Sequence, residues 1–159
     1  MKNLGRLLII DDNEDVLFAL NLLLEPYAEK IKITTSPENI EYFINSFNPD
    51  IILLDMNFSK DAISGQEGYY WLERILKIDP DAIVILMTAY SDTDKAVKAI
   101  KSGAIDFISK PWEKERLLST LSSAMKLRNS RTEINSLKNQ VAAMALEKER
   151  NYEIIGESE

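Results

Sequence analysis

The stretch Ile51-Ile52-Leu53-Leu54-Asp55 sets four consecutive aliphatic residues directly before a carboxylate. Introduced by Asn48-Pro49-Asp50, an unbroken apolar run of this length reads as a strand buried on both faces of a parallel sheet. Asp55 then falls at the strand's carboxyl end, the edge at which open α/β sheets bind ligands. Two other runs close in the same way: Leu7-Leu8-Ile9-Ile10 leads into Asp11-Asp12, and Ile83-Val84-Ile85-Leu86-Met87 into Thr88. A shorter run, Phe107-Ile108, leads into Ser109-Lys110-Pro111, and Ile31-Lys32-Ile33-Thr34 alternates like one more strand. Segments of helical periodicity separate them. The alternation predicts an α/β fold: a doubly wound, five-stranded parallel sheet with helices on both faces. Three carboxylates, a hydroxyl and an ammonium then share one edge of one sheet.

The intervening segments carry helix signals. Asp11 to Asp15 can cap a helix on which Val16, Leu17, Leu20, Leu23, Leu24 and Tyr27 repeat at helical spacing, and Ser36-Pro37-Glu38 offers a capping hydroxyl followed by proline at the first helical position. Ile40, Phe43, Ile44 and Phe47 face inward on the helix that follows. Met56 to Glu67 forms a long polar loop ahead of a helix from about Tyr69 to Ile78. The last segment outruns any single-domain need, with no proline or glycine between Glu113 and Ile155. Leu117, Leu118, Leu121 and Met125 are expected on the sheet. Beyond them Leu127, Ser130, Ile134, Leu137, Val141 and Met144 follow the alternating steps of three and four of a coiled coil. Glu133 and Lys138 attract across a parallel dimer in this register, whereas Lys126 and Arg131 repel. The other reading is a solvated helix docked on its own domain.

Composition removes whole classes of chemistry. With no cysteine, disulfides, thiolate metal sites and cysteine nucleophiles are excluded, and with no histidine the commonest general base is missing. The first residues lack a signal-peptide core and no run reaches membrane-spanning length, so a cytoplasmic protein with no membrane partner is expected. Residues 1–112 hold 11 Lys and Arg against 18 Asp and Glu, a net of −7, while residues 113–159 hold 8 of each. The front domain therefore repels phosphate backbones, and direct DNA binding by this chain is not expected.

Asp11, Asp12 and Asp55 would repel one another if all were ionised within a few ångströms. A hard divalent cation resolves this, and in the absence of His and Cys the choice is Mg²⁺, or Mn²⁺ in its place. Asp55 can then attack phosphorus to form an aspartyl phosphate, with the Thr88 hydroxyl and Lys110 ammonium as donors to the phosphoryl oxygens. A cis bond between Lys110 and Pro111 would aim the lysine inward. Each residue also has an ordinary reading, as a turn or cap aspartate or as a surface lysine. Their convergence across four strand ends favours the site.

LLIIDD at the first strand, IILLD at 51–55, ILMTAY and FISKPW resemble the marks of response-regulator receiver domains, in matching order and spacing from residue 5 to about 125. The resemblance implies that Asp55 accepts phosphate from a partner histidine kinase. It also implies that Asp11, Asp12 and Asp55 bind Mg²⁺, with the backbone carbonyl of Asn57 completing the protein ligands. Thr88 and Phe107 correspond to the family's switch hydroxyl and switch aromatic, and Lys110 to its phosphate-pairing lysine. Asn57 and Tyr90 match positions that tune phosphate lifetime. One departure is the loop after the acceptor, where Phe58 replaces the usual methionine, no proline follows, and an insertion of about five residues is implied. That loop is read either as a lid or kinase-specificity surface, or as decoration.

The tail, Asn151-Tyr152-Glu153-Ile154-Ile155-Gly156-Glu157-Ser158, resembles the opening of the AAA+ domain in sigma-54-dependent activators of the NtrC type. The expected organisation is a receiver at 1–125, a helical coiled-coil linker at 126–150 and the start of a truncated AAA+ domain at 151–159. Phosphorylation would switch a homodimer formed through the fourth and fifth helices and the linker. In the full-length protein an AAA+ domain, sigma-54 RNA polymerase and DNA are the implied partners. The chain has no Walker motif, so it is expected not to be an enzyme beyond phosphotransfer and slow self-dephosphorylation. A free-standing receiver acting by protein–protein binding is the alternative. An aspartyl-phosphate phosphatase is disfavoured, because it usually needs an aspartate where Asn57 stands.

Overall fold

The computed structural model describes residues 4–56, 66–89 and 93–157. The elements run β1 (Arg6–Ile10), α1 (Glu14–Leu24), β2 (Lys30–Thr34), α2 (Ile40–Phe47), β3 (Ile51–Asp55), α3 (Gln66–Ile78), β4 (Val84–Ala89), α4 (Thr93–Lys101), β5 (Asp106–Lys110) and α5 (Lys114–Glu157). The five strands form one sheet in the order β2-β1-β3-β4-β5, every neighbouring pair parallel. This is the flavodoxin-like order, and its reversal point lies between β1 and β3.

The central strands are apolar along their middles because both of their faces are covered. Leu7, Ile9, Leu53, Ile85 and Met87 join Leu17, Leu20 and Leu24 of α1 and Leu117 and Leu121 of α5 in one cluster. Leu8, Ile10, Leu54, Val84 and Leu86 join Ile40 of α2, Leu72 and Ile75 of α3 and Ala99 of α4 in the other. Alternate residues of one strand thus feed opposite layers. Each fully buried aliphatic side chain contributes roughly 1.5–3 kcal/mol, so truncating one from the centre, as in Leu53→Ala, leaves a cavity in the layer under α1 and α5.

Local chemistry fixes the joins. Asn13 caps α1, its side chain accepting the Asp15 N–H at 2.9 Å, and Glu14 and Asp15 in the first turn complement the helix dipole. Ser36 does not serve as the expected cap. Its hydroxyl donates to Glu38 Oε2 at 3.3 Å, Thr34 Oγ1 accepts its N–H at 3.1 Å, and Pro37–Asn39 forms a single 3₁₀ turn ahead of α2. Asn48, left-handed with φ 53°, ends α2 by donating its N–H to the Ile44 carbonyl before Pro49. The Lys110–Pro111 peptide is cis.

The chain divides into two compact units, Met1–Arg128 and Asn129–Glu159. In the first, Leu117 and Leu121 of α5 are buried, and Leu118, Met125 and Leu127 pack partly against the α1-side cluster. Leu127, read from the sequence as the first position of the coiled-coil seam, is therefore used by the globular core. In the second unit Ile134, Leu137, Val141 and Met144 are 50–66% exposed. No helix among the described residues is long and apolar enough to cross a membrane.

Candidate functional site

Two strands bring the acidic residues together. Ile10 pairs with Leu54, so the residues that follow them, Asp11 and Asp55, leave the sheet side by side at the reversal point between β1 and β3. Asp11 is wholly buried and Asp55 nearly so, while Asp12 is more open to solvent. Carboxylate oxygens of Asp11, Asp12 and Asp55 lie within 4.8 Å of one another. Such a group of anions is tolerated only with a compensating cation.

Lys110, the last residue of β5, supplies positive charge from the far side of β4. Its Nζ donates to Asp11 Oδ2 at 2.5 Å and to Asp55 Oδ1 at 3.1 Å. Burial acts to lower the ammonium's pKa, but the charge of Asp55 and the hydrogen bond and charge of Asp11 outweigh it, so the pKa is raised above 10.5. Asp11 is held at both oxygens, since its Oδ1 accepts the Asn13 N–H at 2.9 Å. Asn13 thus does two jobs: its side chain starts α1 and its backbone aims Asp11.

Thr88 lies in β4, 1% exposed, one residue beyond Met87, which pairs with Asp55. Leu86 pairs with Phe107, and strand alternation puts Thr88 on the same face as both, the face covered by α2, α3 and α4. Phe107 is half-buried in that layer. Asp11, Asp12, Asp55 and Lys110 therefore converge, and Thr88 and Phe107 share an adjoining face. Asn57, Tyr90 and the loop 57–65 lie outside the described residues.

Two contacts of the site go beyond the sequence reading. The Asn13 backbone contact had a signal in the Asp-x-Asn spacing, a turn in which the aspartate accepts from the N–H two residues on. Gly68 carries no polar group, yet a Cβ there would stand 2.6 Å from the Met56 carbonyl oxygen and 2.8 Å from its Cα. Only glycine lets α3 lie directly against the residue that follows Asp55.

A doubly wound sheet with an acidic cluster and a bridging lysine at its reversal point defines a signalling receiver. The chain belongs to the response regulator receiver domain family, whose model matches residues 7–122. It is 42% identical to the N-terminal signal receiver domain of a two-component system response regulator from Bacteroides fragilis, a solved structure matched over 76% of this chain and 96% of that one with a TM-score of 0.70. It is 30% identical to the C4-dicarboxylate transport transcriptional regulatory protein DctD of Rhizobium meliloti, over 85% of this chain and 28% of DctD. It is also 26% identical to the regulatory protein AtoC of Escherichia coli, over 86% of this chain and 29% of AtoC. The chain spans between 26% and 48% of the length of the first curated relatives it matches. These relatives are regulators, and the matched family is one of signal reception rather than of an enzyme.

Proposed function

We infer that Asp55 is the phosphoacceptor of a two-component receiver and that its phosphorylation switches a downstream activator. The observation that carries this is Lys110 bridging Asp11 and Asp55 at the carboxyl edge of the sheet. An Asp55 oxygen attacks the phosphorus of a phosphohistidine on a partner kinase. A P–O bond forms as the P–N bond breaks, and its electron pair returns to the imidazole. These 159 residues include no histidine, so the phosphohistidine is not carried by them. Lys110 pairs with the incoming phosphoryl oxygens and so compensates charge close to where it develops. The Thr88 hydroxyl donates to the same group, and Phe107, on the same face, follows it.

The donor set fits Mg²⁺, with Mn²⁺ as a substitute. Three oxygen ligands within 4.8 Å of one another and no nitrogen or sulfur donor suit a hard cation. Asp11, Asp12 and Asp55 would hold it together with the Asn57 carbonyl. Bound there, it neutralises carboxylate and phosphoryl charge.

The reading extends to the whole chain as a receiver at 1–125, a coiled-coil linker at 126–150 and the opening of an AAA+ domain at 151–159, in an NtrC-type regulator. The similarity to AtoC and DctD, matched over the front of longer regulators, supports this placement. The dimer uses the face of α4 and α5 and the linker, and acts in the cytoplasm. In the full-length protein an AAA+ ATPase and sigma-54 polymerase on DNA are the downstream partners.

Incubation with Mg²⁺ and acetyl phosphate, followed by intact mass measurement, tests the reading. One added phosphoryl group is expected, absent from Asp55→Asn and from a sample with chelator. Failure of both this adduct and a Mg²⁺-dependent beryllofluoride complex would remove the phosphorylation switch.

A further inference from the structure

At the end of the sheet opposite Asp55, one guanidinium joins three elements. Arg128 is the last residue of the first unit, and its side chain is 14% exposed. Its Nε lies 3.6 Å from Asp50 Oδ1, in the turn that starts β3. Its Nη1 lies 3.8 Å from Asp79 Oδ2 and donates to the Asp81 carbonyl at 3.4 Å, in the turn ahead of β4. Both carboxylates are fixed by other bonds. Asp50 Oδ2 accepts the Arg6 N–H at 2.9 Å, and Asp79 Oδ1 accepts the Asp81 N–H at 3.1 Å. The approach is made possible at Gly5, where φ is +66° and a Cβ would run into Asp50 Oδ2 and the Met125 methyl. β3 and β4 are the strands that carry Asp55 and Thr88 at their other ends, about 17 Å away for five residues of strand.

We propose that Arg128 is a positioning residue that latches the last receiver turn of α5 to the leading turns of β3 and β4. Displacement of either strand at its phosphoryl end is then carried to the residue after which the second unit begins. The latch is built to respond rather than to lock. Its contacts of 3.4–3.8 Å exceed those of an ideal charge-assisted pair, so movement of either turn toward the guanidinium can still tighten them. The anions are furthermore on two separate strands, so one cation senses their relative position. The coupling half of this proposal rests on the phosphoryl switch proposed above; the latch itself does not.

Hydrogen exchange of the whole chain tests both halves. In unloaded protein, Arg128→Met keeps the apolar stem but removes the charge, and amides of residues 121–128 should exchange about tenfold faster or more. Arg128→Lys should stay within about threefold of wild type, because a charge-bearing substitute keeps part of the interaction. Asp50→Asn combined with Asp79→Asn should reproduce most of the Met effect, and adding Arg128→Met should add only the smaller loss of the Asp81 carbonyl contact. Unchanged exchange in Arg128→Met, or full additivity with the aspartate pair, overturns the latch. Asp79→Asn alone, which leaves the Asp50–Arg6 pairing intact, serves where the Met variant fails to fold.

Loading with Mg²⁺ and beryllofluoride should then alter exchange at 121–128 in wild type and leave Arg128→Met unaltered. A loaded wild type with no change at 121–128 overturns the coupling. A wild type that does not load refutes the phosphoryl switch and the coupling together, while the unloaded comparison still decides the latch.

Discussion

Lys110 bridges a buried Asp11 and a nearly buried Asp55. Lys110→Met should therefore cost about 3 kcal/mol in urea unfolding of metal-free protein, since it takes the bridging cation away from two buried carboxylates. Asp55→Asn, which removes an anion from the same cluster, should be at least as stable as wild type. Because the folded-state pKa of Lys110 is raised above 10.5, its contribution is fully present below that pH. The stability gap between wild type and Lys110→Met should stay constant from neutral pH up to 10.5 and shrink as the pH rises through the higher folded-state value. A gap that shrinks on going from alkaline to neutral pH would contradict this assignment. The acidic residues and the lysine were legible in the sequence because strand ends are marked by abrupt changes from apolar to polar. Asn13 was legible only as a cap, because a backbone N–H aimed at a carboxylate leaves no mark in residue type.

At the scale of elements, the sequence placed every strand, and the differences fall at their ends. β4 runs through Thr88 to Ala89 and β5 through Lys110, so both residues extend from ordered strand rather than from the loops after it. The reason is that ladder hydrogen bonds persist through polar residues, which an apolar run cannot signal. α3 begins at Gln66, ahead of the expected Tyr69, and places Gly68 against Met56. Gly68→Ala should destabilise by about 1–3 kcal/mol, because a methyl at 2.6 Å from a backbone oxygen must push α3 away from β3. The same displacement would shift Met56 beside Asp55, so the variant should also bind beryllofluoride more weakly. Thermal unfolding and a loading titration report the two effects separately.

On the scale of the whole molecule, the exposed stripe of Ile134, Leu137, Val141 and Met144 is the part of the heptad pattern left over once Leu127 joins the receiver core. The unphosphorylated chain is predicted to be a parallel dimer through this segment. Light scattering at high micromolar concentration should report twice the monomer mass, and a monomer there would refute the prediction. Val141→Asp should abolish the dimer while leaving receiver unfolding unchanged, because Val141 is 65% exposed and lies in the second unit. The sequence showed the full heptad run but not where it is interrupted, since the same leucine satisfies a sheet-packing and a helix-pairing pattern. A different molecular property follows from β2, which lies at the margin of the sheet with Lys30 and Lys32 exposed along it. Unpaired strand margins invite growth by addition of further strands, and lysine on such a margin makes a stacked copy pay like-charge repulsion. In a chain predicted to pair with a second copy through its helices, the lysines of KIKIT disfavour a second, strand-to-strand mode of association.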